Sequence, residues 1–256
     1  MLKTGLCSVT FRKFSAEKIV ELAAKAGLEG IEWGGDVHVP PGNFIRAAEV
    51  GKMTREAGLE VVSYGSYYRV GCGDENEAAF ETVLETAVQM KAPAIRVWAG
   101  NRGSDEADEE DWERVVIDSK RMASLAEMKG LSVNYEYHGG TLTDTKESAL
   151  RLMKEVNHHR LGIYWQPAVG QDIRSRLASI QDIRRWLAHV HVFHWDQKQN
   201  RLPLVEGVAE WEHYLSLLMD TKFDRYVMLE FVKEDNPEQF LQDAKVLKEL
   251  VQEQTR

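Results

Sequence analysis

Residues 133–140 (VNYEYHGG) hold the densest run of groups able to do chemistry. Val133, Tyr135 and Tyr137 alternate with Asn134, Glu136 and His138, the period of a strand whose neighbouring side chains point to opposite faces. One face thus carries an amide, a carboxylate and an imidazole in a row. A strand flanked by helical patterns is normally covered on both faces, so polar groups turned inward need partners or a task. One reading is a buried polar network. The other is a metal or catalytic site at the strand's carboxyl end, where Gly139 and Gly140 suit the tight exit such a site needs.

A frame that could position this strand repeats along the chain. Residues 4–11 read as a first strand, Ser15 as the N-cap of a helix carrying Ile19, Leu22 and Ala23, and Gly27 as its stop. Strand patterns recur at 30–35, 61–65, 94–100, 133–140, 161–167, 188–195 and 226–231. Helical patterns lie between them. One runs to Gly58, one carries Phe80, Val83, Leu84 and Ala87, and one carries Trp112, Val115, Val116 and Met122 up to Gly130. Asp144 and Glu147 suggest a capping box for the next, a polar stretch spans 172–187, and a further helix spans 211–219. The last begins at Asn236-Pro237 and buries Phe240, Ala244, Leu247 and Val251. Eight units of roughly 30 residues predict a single (β/α)8 barrel over residues 1–256, with active groups where strands hand over to the following loops. An open doubly wound sheet is disfavoured, because no Gly-x-Gly-x-x-Gly turn follows the first strand.

The 256 residues are 43% hydrophobic and 29% charged, enough for a full core. Lys plus Arg number 32 against 41 Asp plus Glu, giving a net charge of -9 that argues against nucleic acid or an anionic membrane as partner. Two cysteines, Cys7 and Cys72, make no disulfide framework. With no apolar run of membrane-spanning length and no signal-peptide pattern, a cytoplasmic, reduced protein is expected.

The less apolar phase of each strand should face the barrel interior. It selects Glu32 on the second strand, Arg96 and Trp98 on the fourth, and Asn134, Glu136 and His138 on the fifth. On the later strands it selects Tyr164 and Gln166, then His189, His191 and Phe193, then Met228 and Glu230. Strands five to eight therefore each offer one donor near the carboxyl end: Glu136, Gln166, His191 and Glu230. Two carboxylates, an imidazole and an amide oxygen suit a divalent ion bound mainly through oxygen, such as Mn²⁺, Mg²⁺ or Co²⁺, with Zn²⁺ also compatible. His189 lies deeper and reads as structural.

The motifs Gly30-Ile-Glu-Trp-Gly, Tyr135-Glu-Tyr-His-Gly-Gly, His189-Val-His-Val and Leu229-Glu230 resemble, in order and strand position, the xylose isomerase-like TIM barrels. That family holds sugar isomerases, ketose 3-epimerases, an inosose dehydratase branch and family 2 AP endonucleases. The resemblance covers nearly the whole chain and implies that Glu136, Gln166, His191 and Glu230 fall on the family's four metal ligands. Two departures stand out. The family usually has Asp at the Gln166 position and a substrate-binding His three residues on, where Val169 stands. Its His-Val-Lys-Asp on strand seven is here His191-Val-Phe-His194.

What the resemblance implies for function is a metal-dependent sugar or polyol isomerase or epimerase. Charge on an enediolate would fall on the ion, while Glu136 and Glu230 act as catalytic acid and base. Glu32, Trp98, His138, His194 and Trp195 are the candidate substrate contacts, with Glu32 alternatively paired to Arg96. Trp98 and Trp195 suit stacking on a sugar ring, whereas Trp33 and Trp165 fall on the outward phase and should pack on helices. Loops after strands seven and eight lack a glycine-rich phosphate cradle, which favours a neutral sugar or polyol. The alternatives are loss of water from a keto-polyol, phosphodiester cleavage, which the acidic chain disfavours, and a barrel that binds a sugar without turning it over. Pairing through outer helices or loops as a homo-oligomer is a further implication of the resemblance.

Overall fold

The structure, a computed structural model, describes residues 1–218 and 224–254. Eight parallel strands close a barrel: β1 (Leu2–Cys7), β2 (Gly30–Gly34), β3 (Glu60–Arg69), β4 (Ala94–Trp98), β5 (Ser132–Glu136), β6 (Leu161–Trp165), β7 (Leu187–Val192) and β10 (Arg225–Leu229). Closure is made by β1, which pairs in parallel with β2 on one side and β10 on the other. Among the described residues eight helices cover the barrel: α1 (Ala16–Ala26), α2 (Phe44–Glu56), α3 (Phe80–Met90), α4 (Glu109–Met128), α5 (Lys146–Val156), α6 (Ile173–Ile183), α7 (Val208–Ser216) and α8 (Pro237–Glu253). The (β/α)8 expectation is met.

Local chemistry sets the units. The Ser15 hydroxyl accepts the Lys18 N–H at the start of α1, and Gly27, left-handed at φ 66°, ends it. Asn236 caps α8 through the N–H groups of Glu238 and Gln239, with Pro237 in the first turn. Outward-facing strand residues fill the layer under the helices: Trp33 donates to Thr54 of α2 at 3.1 Å and Trp165 to Ser179 of α6 at 2.8 Å, as their outward phase required. A second apolar layer of Cys7, Val9, Val62, Tyr164, Tyr226 and Met228 plugs the barrel itself.

Several element ends differ from expectation. The first strand stops at Cys7, and Ser8–Phe11 is a 3-10 turn. The strand through 133–140 ends at Glu136, because the Thr143 hydroxyl takes its carbonyl at 2.6 Å and turns the chain back. Asp144 does not cap α5; Thr145 does, accepting the Ser148 N–H. The polar stretch 172–187 splits into α6, a 3-10 turn Arg184–Trp186 and the first residue of β7. The strand read to 195 stops at Val192, and His194–Trp195 (β8) pairs antiparallel with Arg201–Leu202 (β9) in a small ribbon above the barrel. Helix α7 starts earlier than expected, and Met219 lies outside the described residues. No helix among the described residues is long and apolar enough to cross a membrane.

Candidate active site

The four donors converge at the carboxyl ends of β5, β6, β7 and β10. His191, fully buried on β7, places Nδ1 3.3 Å from Gln166 Oε1, 3.5 Å from Glu230 Oε2 and 3.6 Å from Glu136 Oε1. A cation about 2.1 Å from each ligand sets neighbouring donor atoms ~3.0 Å apart at right angles or ~3.4 Å apart in a tetrahedron. The spacing and the donor chemistry fit one divalent ion, and Glu136, His191 and Glu230 form a buried cluster able to hold it.

Backbone fixtures hold the two carboxylates in place. Beyond Glu136, Thr141 donates to the His138 carbonyl at 2.7 Å, so the exit of β5 is tied down on both sides of the turn. Glu230 extends the barrel by one rung, its N–H on the Val192 carbonyl at 2.9 Å. The next residue, Phe231, is left-handed at φ 58°, a conformation costing roughly 1–3 kcal/mol for a side chain of this kind. Thr10 accepts its N–H at 3.2 Å.

Beneath the donors lies a buried ion-pair chain. Arg96 on β4 gives Nε to Glu32 Oε1 at 3.1 Å and Nη1 to Glu136 Oε2 at 2.6 Å, and Ser63 donates to Glu32 Oε2 at 2.6 Å. Trp98 Nε1 donates to the same Glu136 Oε2 at 2.6 Å. That oxygen thus accepts two donors while Oε1 faces His191. Gly65 on β3 makes room for the chain: a Cβ there would sit 2.9 Å from Glu32 Oε1 and 3.0 Å from Arg96 Nη2.

The charges sort themselves accordingly. Burial opposes ionisation of Glu32 and Glu136, but Arg96 and His191 overcome it and hold both carboxyls well below the ordinary range. Glu230 has no such clamp; burial, with the Glu136 charge, pushes it up, to about 7, against the pull of His191. Burial opposes a charge on His191 as well, yet its pKa is raised well above the ordinary value. The largest pull toward the charge would come from a Cys7 thiolate, but burial lifts that thiol to about 12, leaving it neutral near pH 7, so the carboxylates carry the effect.

Two aromatic walls rise around the donors. On one side Trp98 meets Tyr67 and His138 with ring centroids 5.2 Å away in each case, and Arg69 lies 4.4 Å over its ring. On the other, Trp195 meets Phe193 at 4.7 Å and Phe231 at 5.8 Å, with Arg201 over Phe231. Of the candidate substrate contacts, Trp98, His138 and Trp195 stand in these walls, half-buried. His194 belongs to the ribbon, with Nδ1 2.5 Å from where a Gly207 Cβ would be, so its ring is spent on packing. Glu32 is only 2% exposed and fully engaged with Arg96 and Ser63. Tyr67, Arg69 and Arg12, whose guanidinium donates to the Tyr67 hydroxyl at 2.8 Å and lies 5.8 Å over the Phe231 ring, are site residues that the strand-phase expectation does not include. Tyr67 shares the Ser63-Gly65-Tyr67 phase of a strand that runs on past Gly65, and continuing the alternation would have found it.

Two other features are not part of this site. Glu127, His158 and His159 cluster at the surface, but His158 Nδ1 accepts the Arg160 N–H, so its Nε2 carries the proton and meets Glu127 as a donor. A cavity of about 1280 Å³ is lined by first residues of strands, among them Glu60, Ala94, Ser132, Leu187 and Arg225, at the end of the barrel opposite the carboxylates.

Residues 20–250 match the family described as xylose isomerase-like TIM barrel. The chain belongs to that family. It is 24% identical to a 3-dehydroshikimate dehydratase of Bacillus anthracis, over 96% of both chains. The crystal structure of a probable 3-DHS dehydratase from the same organism superposes with a TM-score of 0.78 at 22% identity, covering 96% of this chain and 98% of that one. A D-psicose 3-epimerase from Clostridium cellulolyticum gives 0.76 at 16% identity over 98% of each. A 3-keto-D-glucoside 4-epimerase from E. coli gives 0.71 at 19%, over 98% and 99%. Those structural likenesses carry the barrel fold; the buried Glu136–His191–Glu230 cluster agrees with a family metal site.

Proposed function

We propose that the chain is a divalent-metal-dependent enzyme that removes water from a small polyhydroxylated carbonyl compound. The observation that carries this reading is the unequal state of the two carboxylates: Glu136 Oε2 is filled by Arg96 and Trp98, each at 2.6 Å, so Glu136 serves as a ligand and not as a base. A two-base epimerisation needs a proton acceptor on each face of the reacting carbon. Here the clamp leaves Glu230 as the one unclamped carboxylate of the pair. The 3-dehydroshikimate dehydratase relative supports the same direction.

A bound divalent ion would supply Lewis-acid stabilisation of negative charge on a substrate carbonyl oxygen. Glu136, Gln166, His191 and Glu230 would hold it. Proton movement falls to Glu230, with His138 as a hydrogen-bond acceptor for a substrate hydroxyl. His138 Nδ1 donates to the Gly139 carbonyl at 2.6 Å, which leaves the lone pair on Nε2. The base takes the proton from the carbon next to the carbonyl, the freed electron pair forms the C=C bond, and the hydroxyl one carbon further leaves with a proton as water. No oxidant or reductant is required. Trp98 and Trp195 exclude solvent and present ring faces to the substrate.

The second reading, epimerisation or isomerisation of a sugar, draws on the likeness to D-psicose 3-epimerase and on the same aromatic walls. Incubation of metal-loaded protein in D₂O with a panel of ketoses, keto-polyols and hydroxylated ring keto-acids separates the two by mass spectrometry. Dehydration yields a product lighter by one water. A product of unchanged composition carrying one deuterium, in a new configuration, would replace this reading with the second.

A further inference from the structure

We infer that Glu32 is a positioning residue for the metal centre, orienting two of its ligands from below, and not a substrate contact. The inference rests on the metal site proposed above. Glu32 Oε1 lies 3.4 Å from His191 Nε2, on the far side of the imidazole from Nδ1. His191 Nε2 is buried and has no hydrogen-bond partner within ordinary limits among the described residues. A carboxylate there keeps the proton on Nε2, fixes the ring's tautomer, and turns the Nδ1 lone pair toward Gln166, Glu136 and Glu230.

The same Glu32 oxygen accepts Arg96 Nε, and Arg96 Nη1 holds Glu136. Glu32 therefore steers His191 directly and Glu136 through one guanidinium. Its other oxygen is tethered by Ser63, so the carboxylate cannot rotate without losing a 2.6 Å hydrogen bond. Cys7 joins Glu32 and His191 in a second cluster that could take an ion of its own. Yet each Glu32 oxygen already accepts a strong donor, Oε1 from Arg96 and Oε2 from Ser63. That geometry assigns the lower cluster to support and not to a second ion.

The test uses Mn²⁺ alone, titrated into metal-stripped full-length protein by calorimetry, comparing wild type with Glu32→Gln, Ser63→Ala and His191→Ala. Glu32→Gln keeps the shape and the acceptor oxygen but removes the charge. Its affinity for Mn²⁺ should fall about 10- to 100-fold, the usual effect of losing an outer-shell partner. Ser63→Ala, which leaves every charge in place, should show a smaller loss in the same direction. At saturating Mn²⁺ the KM of Glu32→Gln, for the ketose, keto-polyol or ring keto-acid of the panel above that wild type turns over, should stay near that of wild type. Unchanged Mn²⁺ affinity in Glu32→Gln would overturn the inference, and a raised KM beside it would return Glu32 to the substrate. So would two Mn²⁺ ions per chain with the second lost in Glu32→Gln. Should Glu32→Gln fail to fold, unchanged affinity in Ser63→Ala decides against it. No binding by wild type would instead remove the metal site itself.

Discussion

Arg96 and Glu136 meet at 2.6 Å inside the barrel, and the same guanidinium meets Glu32 at 3.1 Å, with all three side chains 5% exposed or less. One cation thus balances two buried carboxylates. The isolated pair would repay its desolvation poorly, but removing one partner leaves charge without compensation.

Arg96→Met should therefore destabilise the metal-free protein by about 3–5 kcal/mol. Urea denaturation of both proteins at one pH checks it. A change below about 1 kcal/mol would mean that Glu32 and Glu136 find other partners.

Gly65→Ala should act on the same chain from the side. Its Cβ, 2.9 Å from Glu32 Oε1, forces the ion pair to shift, at a cost of about 1–3 kcal/mol, and weakens metal binding with it. A crystal structure of the variant should show Glu32 displaced; an unmoved Glu32 and full stability would refute the packing argument.

Metal affinity should rise with pH. His191 and Glu230 both have pKa values above their ordinary ones, Glu230 at about 7, so each holds a proton that the ion must displace. Glu136 and Glu32 have lowered values and are already ionised, so they add no dependence above about pH 4.5, the ordinary glutamate value. Binding should tighten from about pH 5 to beyond pH 7 and release protons to the buffer. Calorimetry in buffers of different ionisation enthalpy measures both, and a flat profile would contradict the assignment of His191 as ligand.

Gln166→Asp should tighten divalent-ion binding about tenfold or more, since it adds a full charge beside the ion site while keeping an oxygen donor. Equal or weaker affinity would show that the Gln166 side chain does not face the ion.

Much of this was legible in the residue order. Eight repeated units gave the barrel, and the less apolar phase of each strand brought Glu32, Arg96, Glu136, His191 and Glu230 inward. What stayed hidden was set by tertiary contact. Gly65 reads as a strand terminator, yet β3 runs on to Arg69, because the glycine is there to admit Glu32 and Arg96. The unlike roles of Glu136 and Glu230 depend on where Arg96 and Trp98 point, which strand alternation does not encode. Phe231 gives no local sign of its left-handed backbone, which Thr10 supports from 221 residues away. Thr145 and Asp144 are both good caps, and the turn geometry chose between them.

The most direct measurement is Mn²⁺ titration of metal-stripped wild type beside His191→Ala and Glu230→Gln. Expected is one saturable site per chain in wild type, lost in His191→Ala and strongly weakened in Glu230→Gln. Absence of saturable binding in wild type, or equal binding in His191→Ala, would contradict a metal centre built on these strands.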